Sequence, residues 1–293
     1  MTDQQVLDTG VSHVFCGTDP DDRAGFIKLI RGYYSHGKRE MPWRDNITPY
    51  RVVVSEVMLQ QTQVTRVKEK FTPFIRRFPD FSTLSLASLA DVMKEWQGLG
   101  YNRRAKSLHA IAIHVMEEWE GVLPQSPEDI LILPGIGMAT AASITVFAYN
   151  APVVFIETNI RRVFIHHFFS GSDPVSDAQI LPLVELTLDN QNPREWYYAL
   201  MDYGTWLAKR MPNPNRRSRH YSRQSAFEGS DRQIRGRILK RLISETICSL
   251  DILISEAGDD QSRGTTILSG MIQEGLLCES DGYVKIADIC GKN

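Results

Sequence analysis

The stretch Leu133-Pro134-Gly135-Ile136-Gly137 constrains the fold of this chain more than any other. It lies between the end of one apolar, helix-like run and the start of a second, Ala139 to Tyr149, so two helices must meet through a very short turn. The two glycines allow backbone torsions that side chains forbid, and they leave amide hydrogens open to close approach. The N-terminus of the following helix adds partial positive charge. A hairpin of this kind can hold a phosphate of a polynucleotide backbone without reading its sequence. Taken alone, the pattern also suits a plain helix–turn–helix connector.

Composition narrows the setting. At 293 residues and ~150 residues per domain, two domains are expected. With 42% hydrophobic and 23% charged residues the chain reads as globular. No apolar run approaches the ~20 residues of a membrane span, and the N-terminus lacks the basic start and apolar stretch of a signal peptide. A cytoplasmic protein is expected. The net charge of −2 hides an uneven distribution: residues 1–22 hold five acids and no base, residues 242–293 nine acids and three bases, and residues 23–241 thirty bases against twenty-one acids. A basic body between acidic ends is compatible with a nucleic-acid partner and equally with an ordinary solvated surface. Cys16, Cys248, Cys278 and Cys290 stand far apart without CxxC pairing, which argues for free thiols and against a zinc or iron–sulfur site.

The chain divides into a flexible leader (1–22), a mainly helical body (23–210), a basic connector (211–230) and a small C-terminal module (231–293). In the body, Thr48-Pro49 supplies a cap and first-turn proline, and Ser126-Pro127-Glu128-Asp129 has the spacing of a capping box. Gly98-Leu99-Gly100 and Gly171-Ser172-Asp173-Pro174 are connectors. The connector, rich in Pro, Asn, Arg and Ser, carries Arg216, Arg217, Arg219 and Arg223 and reads as extended. In the module, Asp231 to Ser249 and Arg263 to Gly275 read as helices. Ser280-Asp281-Gly282 is flanked by short apolar runs, a hairpin signal. Helices followed by a two-stranded wing resemble a winged-helix module.

Five segments stand in one order along the chain: Met41-Pro42-Trp43-Arg44, the run Ser55-Glu56-Val57-Met58-Leu59-Gln60-Gln61-Thr62-Gln63-Val64, Gly98-Leu99-Gly100-Tyr101, the hairpin Leu133 to Ala141, and Glu157-Thr158-Asn159-Ile160-Arg161-Arg162-Val163. Together they resemble the helix–hairpin–helix (HhH-GPD) superfamily of base-excision DNA glycosylases, which includes endonuclease III and the MutY adenine glycosylases. The resemblance extends from about Gly32 to Gly204, and the ten-residue run from Ser55 is similar to the adenine-glycosylase branch in particular. It implies a mainly α, two-lobed helix–hairpin–helix glycosylase fold, here with the winged-helix-like module appended.

Glu56 has Val52 and Val53 before it and Leu59 after it on one helical face. Such a setting disfavours the ionised carboxylate and suits a proton donor near neutral pH. The resemblance implies that Glu56 protonates the departing base, adenine at N7 in the family. Cleavage leaves positive charge on the sugar, which a carboxylate can stabilise. The family usually places Asp there, where this chain has Glu157, with Asn159 matching a cooperating Asn; the alternative for Glu157 is a structural acid at a helix start. Bifunctional members carry a hairpin Lys that forms a Schiff base. Ala139 stands at that position, so no lyase step is expected. Gln61 and Tyr101 match residues that wedge into the stack around a flipped base, Gly135 and Gly137 match the phosphate hairpin, and Trp43 and Arg44 match the segment near the base pocket. Arg216 and Arg217 are expected to contact DNA.

Most of the family holds an iron–sulfur cluster on four cysteines after a segment like Met201-Asp202-Tyr203-Gly204, but Thr205 to Ser230 contains none. No cluster and no organic cofactor are expected, and a monovalent cation at the hairpin is the one ion the resemblance allows. MutY proteins typically end in a β-rich domain that recognises 8-oxoguanine, for which the ~60 residues after Ser230 are too few. The expectation is a monomeric, monofunctional glycosylase acting on double-stranded DNA with a mispaired or damaged base. Its first substrate is adenine opposite G or 8-oxoguanine. A thymine, uracil or other damaged-base glycosylase of the same fold is the first alternative. A non-catalytic DNA-binding or winged-helix regulatory protein is the second.

Overall fold

A computed structural model describes residues 13–171, 173–222 and 226–287. Most of the leader and Ser172, Arg223 and Cys290 lie outside them. The fold is mainly α, and the chain forms two compact units, Met1–Arg44 with Gly137–Arg223, and Asp45–Ile136 with Gln224–Asn293. The division falls inside the Pro-Gly-Ile-Gly hairpin.

In the first unit, α1 (Pro20–Gly37) begins at the N-cap Asp19. Further along the chain come α8 (Met138–Tyr149), α9 (Thr158–Phe168), α10 (Asp177–Thr187) and α11 (Pro193–Leu207). Their core is aromatic: Phe26 of α1 lies within ring contact of Phe164 and Phe168 of α9 and Trp196 of α11. Two polar side chains of this core are paired, while the Trp196 indole N–H is buried without a hydrogen-bond partner. Tyr197 donates to the Val153 carbonyl at 3.1 Å, and His167, fully buried, shares a 2.9 Å hydrogen bond with the Tyr203 hydroxyl. The end of the leader is packed, with Phe15 8% exposed and its amide donating to the His167 carbonyl at 2.7 Å. The connector is held as well. Pro214–Arg217 forms a 3-10 turn, Val175 bridges Ser218, and Asn215 donates to the Thr158 carbonyl at 2.9 Å.

In the second unit α2 (Pro49–Leu59) opens on Thr48, whose hydroxyl accepts from the Arg51 amide at 3.2 Å. It is followed by α3 (Val64–Arg77), α4 (Phe81–Ser85), α5 (Leu89–Trp96), α6 (Arg103–Trp119) and α7 (Pro127–Ile130), the last capped by Ser126. Val53, Val54, Met58, Phe71, Phe74, Trp96, Leu108 and Ile111 fill its core.

The C-terminal residues complete the same unit. After α12 (Asp231–Glu245) come β1 (Ile247–Ser249), α13 (Leu250–Ile254), α14 (Gln261–Gln273), β2 (Leu277–Ser280) and β3 (Tyr283–Ile286). The strands form an antiparallel sheet in the order β1-β3-β2, with Cys248 opposite Val284 and Glu279 opposite Val284 on the other side. Asp281 and Gly282 both have positive φ, 54° and 77°, as a tight primed turn requires. The helix expected to run to Ser249 stops at Glu245, because Thr246 turns to φ 65° and the next three residues join the sheet. The module is docked through Glu274. Its carboxylate pairs with Arg235 of α12 and Arg103 of α6, and its carbonyl accepts from Lys106 of α6.

Candidate active site

Glu56 lies in the last turns of α2, half-buried, after the buried Val52 and Val53. Helix α2 ends at Leu59, and a few residues later the chain must enter α3. Gln61 makes that reversal with φ 53° and its side chain exposed. A second tight reversal follows α5, where Gly98 and Gly100 have φ 91° and 71° and Tyr101 has φ 48°. Left-handed torsions are uncommon for residues with a Cβ, so both wedge candidates sit on backbone that something else must hold.

That something is Arg104. Its guanidinium, on a residue 9% exposed, donates to the carbonyls of Val57, Met58 and Gln60 at 2.9, 2.8 and 2.6 Å. It also donates to the Thr62 hydroxyl at 2.8 Å and to the carbonyls of Leu99 and Gly100 at 3.2 and 3.0 Å. One planar fork thus satisfies the orphan carbonyls at the end of α2 and ties them to the Tyr101 turn. Burial lowers its pKa to about 10, so it stays charged at neutral pH. Sequence reading missed Arg104. The available signal was an arginine shortly after a Gly-x-Gly turn, at the start of a helix whose next apolar face is buried.

The hairpin follows α7. Gly135 has φ 78°, and a Cβ there would come within 2.8 Å of the Ser107 hydroxyl. Gly137 is the N-cap of α8 and provides no side-chain cap, which leaves first-turn amides to another acceptor. Ala139 is exposed in that turn and offers only a methyl group.

In the first unit Glu157 is the N-cap of α9. One carboxylate oxygen accepts from the amides of Asn159 and Ile160 at 2.7 and 2.9 Å, and the other from the Asn159 side-chain amide at 3.3 Å. Arg162 in turn donates to the Asn159 side-chain oxygen at 2.6 Å and to the Gly204 carbonyl at 2.9 Å. Gly204 cannot carry a side chain, since a Cβ would lie 2.7 Å from the Asn159 carbonyl. Burial pushes the Glu157 carboxyl pKa up, against the pull of the two amides and of Arg162 and Arg161. The helix-start geometry and a catalytic role are compatible, because a carboxylate oriented by three donors is held where it stands.

Trp43 is 7% exposed. Arg44 and Arg39 converge on Asp202, which is fully buried. Arg44 donates to its two oxygens at 2.9 and 2.8 Å, and Arg39 through its amide and Nε at 2.8 and 2.7 Å. The Arg44 guanidinium also lies 4.2 Å from the Tyr198 ring centroid. Asp202, also missed from sequence, anchors the Met41-Pro42-Trp43-Arg44 segment; it is the one charged residue in the run 196–207 of α11, and that was the signal. Arg217 donates to the Phe169 carbonyl at 2.7 Å, and Arg216 is exposed.

Cys16, Cys248 and Cys278 are free thiols on separate elements. Residues 205–230 contain no cysteine. Four cysteines that could ligate a cluster are therefore not encoded in residues 205–230, and none of the chemistry below passes through such a group.

A family model described as HhH-GPD superfamily base excision DNA repair protein matches residues 54–181. The adenine DNA glycosylase of Mycolicibacterium smegmatis is 32% identical over 271 residues, which span 85% of this chain and 92% of that protein. Among solved structures, a thermostable thymine-DNA glycosylase matches with a TM-score of 0.58 at 25% identity, over 62% of this chain and 85% of the other. A non-covalent endonuclease III–DNA complex matches with a TM-score of 0.54 at 13% identity, over 74% and 98%, a likeness of fold alone. The family match takes in the helix of Glu56, the hairpin and the capped helix of Glu157. With a relative at this identity along nearly its whole length, the chain belongs to the HhH-GPD superfamily of base excision DNA repair proteins, in its MutY-like adenine glycosylase branch.

Proposed function

We propose that the protein is a monofunctional DNA glycosylase that hydrolyses the N-glycosidic bond of adenine mispaired with G or 8-oxoguanine. The observation that carries the chemistry is the Glu157 carboxylate, oriented by Asn159 and by the first amides of α9. Glu56 gives its proton to a ring nitrogen of the flipped base, which turns a poor leaving group into a neutral one. The glycosidic bond breaks with both electrons moving to the base. The Glu157 carboxylate stabilises the positive charge left on the sugar, and water then adds to the anomeric carbon and gives its proton to the Glu56 carboxylate, which restores the acid. Gln61 and Tyr101 occupy the space the base vacates. The hairpin amides and Arg216 hold phosphates.

Ala139 leaves the hairpin without an amine, so the product is an intact strand with an abasic site. The protein does this without an iron–sulfur cluster, the connector being held instead by Asn215 and Arg217. A monomer suffices for all of it. The second reading, excision of thymine or uracil, is kept by the likeness to the thymine-DNA glycosylase. Duplexes carrying A opposite 8-oxoguanine, A opposite G, T opposite G and U opposite G, treated with enzyme and then with alkali, separate the two. Strand breaks confined to T or U duplexes refute the adenine reading, and breaks before alkali refute the monofunctional one.

A further inference from the structure

A cleft of about 460 Å³ lies within the second unit, between the strained turns that carry Gln61 and Tyr101 and helix α12 of the C-terminal module. The two wedge candidates stand differently on its rim. Gln61 is exposed, whereas Tyr101 is half-buried. Arg232, in the first turn of α12, donates to the Tyr101 hydroxyl at 2.7 Å, and its guanidinium lies 5.3 Å from the ring centroid. The Arg104 guanidinium lies 5.6 Å from the same centroid. Tyr101 is thus held by an arginine of the body and an arginine of the module. Both contacts are favourable through the ring quadrupole, and the hydroxyl bond is strengthened by the charge on its donor.

Both ends of this contact are fixed. The second terminal nitrogen of Arg232 donates to the Ala226 carbonyl at 3.2 Å, so the guanidinium is anchored on its own side. The module is fastened beside the Tyr101 turn through Glu274, whose carboxylate pairs with Arg235 and Arg103 and whose carbonyl accepts from Lys106. Across the cleft, Arg104 pins the carbonyls of Leu99 and Gly100, so the backbone leading into Tyr101 is set and the side chain alone can swing. A tyrosine that enters a duplex leads with its hydroxyl end. Here that end is bound to the module, and the ring cannot hold Arg232 and stand between two bases at once.

We propose that the C-terminal module parks Tyr101 through Arg232, and that Tyr101 enters DNA only by exchanging its bond to Arg232 for stacking on a base. The inference rests on the reading above that Tyr101 enters the DNA stack. A hydrogen bond to a charged group and the stacking of an aromatic ring on a nucleobase are of the same order, so a duplex that offers a gap can drive the exchange while the free protein keeps the ring parked. The apparent affinity for such a duplex is then reduced by the fraction of molecules whose Tyr101 is released. Removing the parking contact raises that fraction.

The test is the affinity of the full chain for a duplex with a tetrahydrofuran abasic analogue, relative to an undamaged duplex, with a 2-aminopurine beside the analogue reporting wedge entry. No base is excised, so the outcome is independent of the chemistry. Tyr101→Phe keeps the ring and removes the hydroxyl. It is expected to raise the relative affinity by about fivefold, the weight of a half-buried hydrogen bond to a charged group. R232M should do the same and R232K less, since an ammonium still donates to the hydroxyl, and the double variant Y101F/R232M should gain no more than either single one. R235Q loosens the module at Glu274 without touching Tyr101 and should stay at the wild-type ratio. An equal gain in R235Q would overturn the proposal in favour of general mobility of the module. An unchanged or lowered ratio in Tyr101→Phe would overturn it in favour of a contact that braces the wedge. Tyr101→Ala judges the underlying reading separately. If it abolishes the 2-aminopurine signal while Tyr101→Phe gains nothing, the parking contact alone fails; if the signal survives in Tyr101→Ala, the wedge reading fails and takes this inference with it.

Discussion

Replacing Arg104 by Met keeps much of the side-chain volume and removes six contacts that share the four N–H donors of Nη1 and Nη2. At about 1.5 kcal/mol for each of those four charged donors, their loss is worth roughly 6 kcal/mol. Burial of the guanidinium offsets part of this. Burial pushes its pKa down to about 10, which at ~1.4 kcal/mol per pKa unit corresponds to about 3 kcal/mol of desolvation that the variant no longer bears. Water reaching some of the freed carbonyls recovers a little more. The expected net loss is about 2 to 3 kcal/mol, at the upper end of what most single substitutions do. Urea unfolding should show it as a lower midpoint with an unchanged slope. R104K should recover less than half, since one ammonium has three donors and no planar fork.

The same change must also reach function, because the acceptors of Arg104 are the carbonyls around Gln61 and Tyr101. At a temperature where R104K is fully folded, the fluorescence rise of a 2-aminopurine placed next to the target, which reports unstacking, should be reduced. Affinity for undamaged duplex should stay within about threefold, because Arg104 is buried and adds little to the counterion-release term. A loss of stability below about 1 kcal/mol would show that these contacts are replaceable by solvent. Full base flipping by folded R104K would show that the wedge residues do not depend on the fork.

Glu56→Gln keeps the size and hydrogen-bonding capacity of the side chain and removes its proton. Single-turnover base release should fall by about a thousandfold or more while duplex affinity holds, within the range for general acids, and wild-type-like release would refute the assignment. Glu157→Gln retains a carbonyl oxygen to cap the Asn159 and Ile160 amides, so it should fold normally, yet lose excision strongly and keep its affinity for an abasic analogue. In the parent, the raised pKa of Glu157 predicts an acidic limb of the single-turnover profile above the usual glutamate range, with rate falling as pH drops through it. An unchanged single-turnover rate in the Gln variant would return Glu157 to a purely structural cap. His167 has its pKa lowered by burial from 6.5 to about 4. The unfolded chain therefore binds this proton first as pH falls. Stability should decline by about 3 kcal/mol between pH 6.5 and pH 4 from this group, and His167→Phe should remove that part of the slope in urea unfolding at each pH.

The helical body was legible because its signals are local. Thr48-Pro49 and Ser126-Pro127 carry their own caps, and Asp281-Gly282 carries its own turn, so each could be read within a few residues. The site residues were legible for a different reason, the ten-residue run around Glu56 and the Glu157–Asn159 spacing, which resemblance rather than periodicity brings out. What could not be read were the polar anchors. Arg104 reaches acceptors up to 47 residues away, and Asp202 draws in Arg39 and Arg44 from 163 and 158 residues away. Apolar periodicity reports which face of a helix is buried, but a charge on that face looks like an error until its partners are in view. The docking of the C-terminal module was hidden in the same way, because Glu274 and Arg232 read as ordinary surface charges. A buried charge in a helical body is costly unless several donors or acceptors converge on it. A charged residue inside an apolar helical stretch therefore predicts convergence of distant backbone. In this protein each such convergence fixes a segment, the wedge turns by Arg104 and the Trp43 segment by Asp202, that the proposed chemistry needs held in place.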